Sequence, residues 1–255
     1  MPYVENPGVR IHYQVEGKGA PLVLQHGFTS SIETVRTLGY PGYLEDRYQV
    51  ILIDARGHGS SDKLHTPDAY GLEKSVGDVL TVLNELDIKK VHFFGYSMGG
   101  VIGFAMAKYA AERLLFLILG GAHPYADDFD SFHKIDGKDQ EAFMGALETL
   151  IGERMAPELV PLLLENDLKA LAASARPRSS MEAVLSNMKM PCLLFAGTAD
   201  SRHQLVKACA KHISNCRFVS FPGLGRIDCY LRVDLVIPHI RGFLEGLEIK
   251  GKADR

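Results

Sequence analysis

Short, nearly continuous apolar runs alternate along the chain with longer amphipathic ones. The apolar runs are residues 9–15 (VRIHYQV), 21–27 (PLVLQHG), 50–55 (VILIDA), 91–96 (VHFFGY), 115–121 (LFLILGG), 191–197 (PCLLFAG) and 216–221 (CRFVSF). Most lack polar alternation, which is the mark of strands covered on both faces of a parallel sheet. Between them, residues 73–88 carry Val76, Val79, Leu80, Leu83 and Leu86 at three- and four-residue spacing, predicting one apolar helix face. Helices are also predicted over 98–110, 202–213 and 231–247, with Pro238 expected to kink the last or delay its start. Strands alternating with helices imply an α/β fold with a mostly parallel, doubly covered sheet.

The rhythm breaks between residues 124 and 189. There, 138–153, 157–166, 167–175 and 180–188 read as consecutive helices with no strand among them. After Pro191 the strand rhythm returns. The pattern therefore predicts one domain over residues 1–255, with a helical insertion at 124–189 that acts as a lid or cap.

Composition adds exclusions. A chain of 255 residues with net charge −3 has no general electrostatic footprint for nucleic acid or an anionic membrane. The longest apolar run, residues 114–122, is far shorter than a membrane span. The N-terminus has neither a basic nor an apolar segment of signal-peptide type. Cys192, Cys209, Cys216 and Cys229 form no CxxC pair and no Cys/His metal spacing, so free thiols and a cytoplasmic location are expected.

The strongest chemical motif is 95–100 (GYSMGG), a GxSxG that falls directly between the strand at 91–96 and the helix at 98–110. That context is what a nucleophile elbow requires. A sharp turn would hold Ser97 in a strained conformation, with Gly95 and Gly99 present because a Cβ at either would strike a neighbouring element. The hydroxyl would then project at a helix N-terminus, whose positive end favours developing negative charge.

With this motif the sequence resembles the α/β-hydrolase fold family. The resemblance runs through 25–28 (QHGF), 54–62 (DARGHGSSD), 95–100 (GYSMGG) and 197–200 (GTAD), in the family's order. It implies an eight-stranded sheet with a helical cap after the sixth strand. Within the family the pattern is most similar to small, cofactor-free carboxylesterases and lactonases acting on a small-molecule ester or lactone. The resemblance also implies an oxyanion hole from the backbone N–H groups of Phe28 and Met98, whose side chains would wall the acyl pocket. His26 is expected to pack structurally, and Asp54, Arg56 and His58 to brace the loop, with no metal required.

The acid of the family's Ser–Asp–His order follows a late strand, which points to Asp200, with a helix N-cap as the plainer role. The histidine should follow in 222–230 (PGLGRIDCY), but its position holds Arg226. An arginine stays protonated and offers donors but no acceptor, so it cannot take the proton of Ser97. A bidentate ion pair with Asp200 is expected instead. Hydrolysis would then be strongly impaired, by about 10⁴–10⁶ in turnover on the scale of triad knockouts. Three explanations stand open: an active parent that lost its histidine, a silent ligand-binding member, or a rerouted base such as His123 or His203. Cys229 lies near Arg226, where the first turn of the last helix accounts for it. A serine at the elbow argues against epoxide hydrolase and haloalkane dehalogenase chemistry, which in this family uses an aspartate there. C–C hydrolase, perhydrolase and acyltransferase chemistry share the constellation. Leu147, Leu150, Leu162, Leu163 and Leu171 are candidates either for an apolar pocket or for the cap's own packing face.

Overall fold

The computed structural model describes residues 2–253, with side-chain surroundings through residue 247. The element order is β1 (Tyr3–Asn6), β2 (Val9–Glu16), β3 (Ala20–Gln25), α1 (Ile32–Thr37), β4 (Tyr48–Ile53), α2 (Leu72–Glu85), β5 (Val91–Tyr96), α3 (Met98–Tyr109) and β6 (Leu114–Gly120). The chain continues through α4 (Gln140–Ile151), α5 (Val160–Leu164), α6 (Leu168–Ser174), β7 (Cys192–Gly197), α7 (His203–Lys211), β8 (Cys216–Phe221), α8 (Arg226–Leu231) and α9 (Val233–Ala253). The strands form one 8-stranded sheet in the order β1-β2-β4-β3-β5-β6-β7-β8. The β1–β2 and β2–β4 pairs are antiparallel, and every later pair is parallel.

Alternation along the central strands explains their unbroken apolar sequence. Phe93, Leu117 and Leu194 point into one core, shared with Val79 and Val82 of α2, Phe104 of α3 and Val206 of α7. Their neighbours Phe94, Ile118 and Leu193 point into a second core, with Ile32 and Val35 of α1 and Val236 and Ile240 of α9. A strand buried on both faces has no position left for a polar residue, so period-two polarity disappears. Between β6 and β7 a helical segment closes a third cluster of its own around Phe132, Phe143, Leu147, Leu163 and Leu171.

The structure differs from the pattern in several places. β1 is only 4 residues long and pairs on one side, too short to carry a periodic signal. α1 is 6 residues, started by Ser31, whose side chain accepts from the N–H of Thr34. The helix predicted over 157–166 keeps only its 5-residue core, and residues 182–187 wind as a 3₁₀ helix. The last predicted helix, 231–247, is α9 with Pro238 inside it; the 6-residue α8 that precedes it, ended by a break at Arg232 (φ −81°, ψ 61°), lies outside the predicted range except for Leu231. Because α9 starts only at Val233, the hydrogen bond that Pro238 forfeits falls near the helix's N-terminal end. Among the described residues, no helix is long and apolar enough to cross a membrane.

Candidate active site

β3, β5, β6, β7 and β8 all deliver a loop to the carboxyl edge of the sheet, where open α/β folds bind ligands. At the end of β5 a single residue reverses the chain. Ser97 has φ 53° and ψ −112°, an unfavourable conformation for a side chain with a Cβ. Its N–H donates to Gly120 O at 2.8 Å and its carbonyl accepts from the Val101 N–H at 3.0 Å, so the surroundings hold it there. The flanking glycines make the turn sterically feasible. A Cβ at Gly95 would lie 2.2 Å from Gly99 O, and one at Gly99 would lie 2.1 Å from Gln25 O.

The loop after β3 passes directly beside this turn, since a Cβ built on Gly27 would stand 3.5 Å from Ser97 Cβ. Phe28 follows, its ring edge-on to His58 at 5.7 Å and to Phe132 at 5.9 Å. Met98 opens α3, so its N–H is among the helix's first four and has no intrahelical acceptor. His26 faces away from any such role. Its Nδ1 lies 2.7 Å from Gly27 O and its Nε2 accepts from the Ala55 N–H at 3.1 Å. A carbonyl only accepts, so Nδ1 carries the hydrogen and both ring nitrogens are used. Burial draws the His26 pKa below the ordinary histidine value.

Asp54, Arg56 and His58 are all buried. Asp54 accepts from the N–H groups of Ile32 (2.8 Å) and Ser60 (2.9 Å) and meets His12 Nδ1 at 2.7 Å. Burial pushes its carboxyl up, but His26 and these N–H donors more than offset that, and its pKa ends below the ordinary value. Arg56 grips Asp78 with both arms of its fork, Nε to Oδ2 at 2.7 Å and Nη2 to Oδ1 at 2.6 Å.

Ser97, Asp200 and Arg226 come together. Asp200 follows β7 and Arg226 is the first residue of α8, after β8. Their side chains are 1% and 7% exposed, so this is a buried ion pair. It is not the expected two-armed fork. Nη1 alone faces both carboxylate oxygens, at 3.3 Å and 3.1 Å. Nη2 points the other way, donating to Ser97 Oγ at 3.1 Å and to Gly121 O at 2.6 Å. The guanidinium therefore lies between acid and serine, and the second arm is drawn off by acceptors that sequence gives no means of locating. The backbone beneath it is fixed as well. Tyr96 OH donates to Arg226 O at 2.6 Å, Glu153 Oε1 accepts from the Ile227 N–H at 2.6 Å, and Tyr96 stacks on Tyr230 at 4.7 Å.

Ser97, Phe28, Met98 and Arg226 line one cavity of about 210 Å³. Leu147 and Leu150 also line it, whereas Leu163 and Leu171 are buried in the helical segment's own core and Leu162 is 62% exposed. His123 lines the cavity too, with its pKa pushed down to about 3 by burial and then by Arg178, Arg202 and Arg226. His203 is buried elsewhere, its Nε2 2.9 Å from Ser220 Oγ. Cys229 is a fully buried thiol of α8, its pKa raised to about 12 by burial. Arg178, Arg202 and Asp127, which also face the cavity, escape the sequence reading. The only hint was a pair of arginines in 175–180 (ARPRSS). Among the described residues no group of three or more His, Cys, Asp or Glu side chains is arranged to hold a metal ion.

The model of the alpha/beta hydrolase fold family matches residues 20–150, which include the β3 loop, the Ser97 turn and the sheet between them. The chain belongs to the alpha/beta hydrolase fold family. Its relatives differ in chemistry. The 3-oxoadipate enol-lactonase 1 of Acinetobacter baylyi is 24% identical over 210 residues, 76% of this chain and 77% of that one. Bifunctional epoxide hydrolase 2 of Sus scrofa is 33% identical over 108 residues, but these are 42% of this chain and only 19% of the relative. Among solved structures, the enol-lactonase from Burkholderia xenovorans LB400 superposes with a TM-score of 0.80, covering 96% of this α/β hydrolase and 100% of that chain at 22% identity. A likeness at that identity establishes the shared fold alone.

Proposed function

We propose that this α/β hydrolase is a serine hydrolase of carboxylic esters or lactones in which Arg226 strongly impairs turnover. In this reading Ser97 is the nucleophile, Asp200 the acid and Arg226 the occupant of the base position. The N–H groups of Phe28 and Met98 form the oxyanion hole, and the segment at 124–189 is the cap over the pocket. The 76–77% mutual coverage with an enol-lactonase supports the substrate class, and the serine at the elbow weighs against epoxide opening. The carrying observation is the 3.1 Å hydrogen bond from Arg226 Nη2 to Ser97 Oγ. Attack forms an Oγ–C bond and must release the hydroxyl proton to an acceptor. Arg226 meets Oγ with a donor and has no lone pair to receive that proton. The oxyanion hole and positioning leave some residual catalysis.

His123 does not fit a rerouted base. Its Nδ1 faces Arg178 Nη2 at 3.4 Å, and a guanidinium only donates, so Nδ1 holds the lone pair and Nε2 the hydrogen. With a pKa near 3, its free nitrogen is a weak base already turned toward Arg178. The test is steady-state hydrolysis of p-nitrophenyl acetate and a lactone panel by the chain, Arg226→His and Ser97→Ala. Arg226→His should raise turnover by roughly 10³-fold or more. A folded Arg226→His protein with no gain would sink the reading in favour of a ligand-binding member of the fold. Loss of activity in His123→Ala alone would restore the rerouted base.

A further inference from the structure

The cavity that Leu147, Leu150 and Met155 line also has a cationic wall. Arg178 and Arg202 both reach the same oxygen, Asp127 Oδ2, at 3.7 Å and 2.9 Å. Their side chains are only 12% and 18% exposed. One carboxylate thus serves two guanidinium groups, while Asp200 is taken by Arg226 and Asp78 by Arg56. Arg176 stands exposed at the rim of the same cavity, without an ion pair among the described residues.

The donors are also in surplus. Arg178 uses Nε on Tyr125 O and Nη2 on His123 O, which leaves Nη1 without a hydrogen-bond acceptor among the described residues. Among the described residues the Arg202 side chain donates only through Nη2, to Asp127, which leaves its Nε and Nη1. His123, held with its hydrogen on Nε2, is 3% exposed and offers the cavity no charge; its Nε2 is itself buried, without a hydrogen-bond partner among the described residues. Burial first, and then Arg178, Arg202 and Arg226, lower the pKa of His123, which keeps it neutral.

We infer that Arg178 and Arg202 form a carboxylate subsite, so that the ligand of this cavity is an ester or lactone bearing a free carboxylate at the far end of an aliphatic segment. The guanidinium forks offer paired N–H groups to the two oxygens. The location of the ester beside Ser97 rests on the hydrolase reading, whereas recognition of the carboxylate does not.

Isothermal titration of the full chain with monomethyl adipate and with dimethyl adipate tests this without requiring turnover. The half-ester should bind at least about tenfold more tightly, the scale of charge-assisted hydrogen bonds. Arg202→Gln should bring the two ligands to within about threefold of each other. Arg178→Gln should do the same, but Arg178 also supports two carbonyls and that variant can unfold. Asp127→Asn removes the competing carboxylate and should tighten half-ester binding several-fold, a direction that structural damage would not produce. Equal binding of the two ligands, no binding of the half-ester at millimolar concentration, or weaker binding by Asp127→Asn would each overturn the inference. The hydrolase reading fails on a different result, the absence of turnover in Arg226→His.

Discussion

Replacing Arg226 with methionine removes the cation and leaves the bulk. The guanidinium makes two contacts to Asp200, one to Ser97 and one to Gly121 O, and all are lost together. The Asp200 side chain is 1% exposed and keeps a backbone donor, the Arg202 N–H at 2.9 Å, but loses the cation of its ion pair. Stranding one partner of a buried ion pair costs about 3–5 kcal/mol, well above the value of the hydrogen bonds alone. At about 2 °C per kcal/mol for a chain of this size, Tm should fall by roughly 6–10 °C. Urea unfolding followed by circular dichroism at neutral pH gives the free energy directly. The double variant Arg226→Met/Asp200→Asn should recover at least about 2 kcal/mol of the loss, because the stranded charge is gone. A single-variant loss below about 1 kcal/mol, or no recovery in the double variant, would refute the buried pair.

Further predictions concern the turn and the buried histidines. Gly99→Ala forces a Cβ to 2.1 Å from Gln25 O and should cost more than about 3 kcal/mol or abolish soluble expression, whereas a Tm within experimental error of the parent would contradict the packing of the turn. His58 and His123 both have folded pKa values near 3, below the ordinary 6.5, with burial the largest cause in each. The unfolded chain therefore binds more protons between those values, so stability is full above pH 6.5 and declines as pH falls toward 3. Each buried histidine contributes up to about 1.4 kcal/mol per pH unit. Unfolding free energy should drop by at least about 2 kcal/mol from pH 7 to pH 5, and a flat profile there would show that the imidazoles are not held neutral.

The parts of the fold legible in the sequence are those whose pattern is set locally. β5, β6 and β7 announce themselves because burial on both faces leaves few polar positions, and GYSMGG because the turn leaves no room for a Cβ at its glycines. The ion pair of Arg226 with Asp200 follows from residue chemistry once both loops meet at one sheet edge. The split of its two nitrogens does not, since Gly121 O and Ser97 Oγ enter through β6 and β5. The cationic wall was less legible still. Arg178 and Arg202 reach Asp127 because the chain folds back through the paired backbone of Asp127 and Arg178, at 3.1 Å and 2.9 Å. No periodicity encodes that contact.

The central claim is that Arg226 deprives Ser97 of its nucleophilicity, and covalent labelling reads that property on one atom. The chain, Arg226→His and Arg226→His/Ser97→Ala are incubated with diethyl p-nitrophenyl phosphate, and the diethylphosphoryl adduct is mapped by mass spectrometry. We expect Arg226→His to be labelled on Ser97 at least about 10³-fold faster than the parent, and the double variant to remain unlabelled. Labelling of Ser97 in the parent at the rate of Arg226→His would contradict the account.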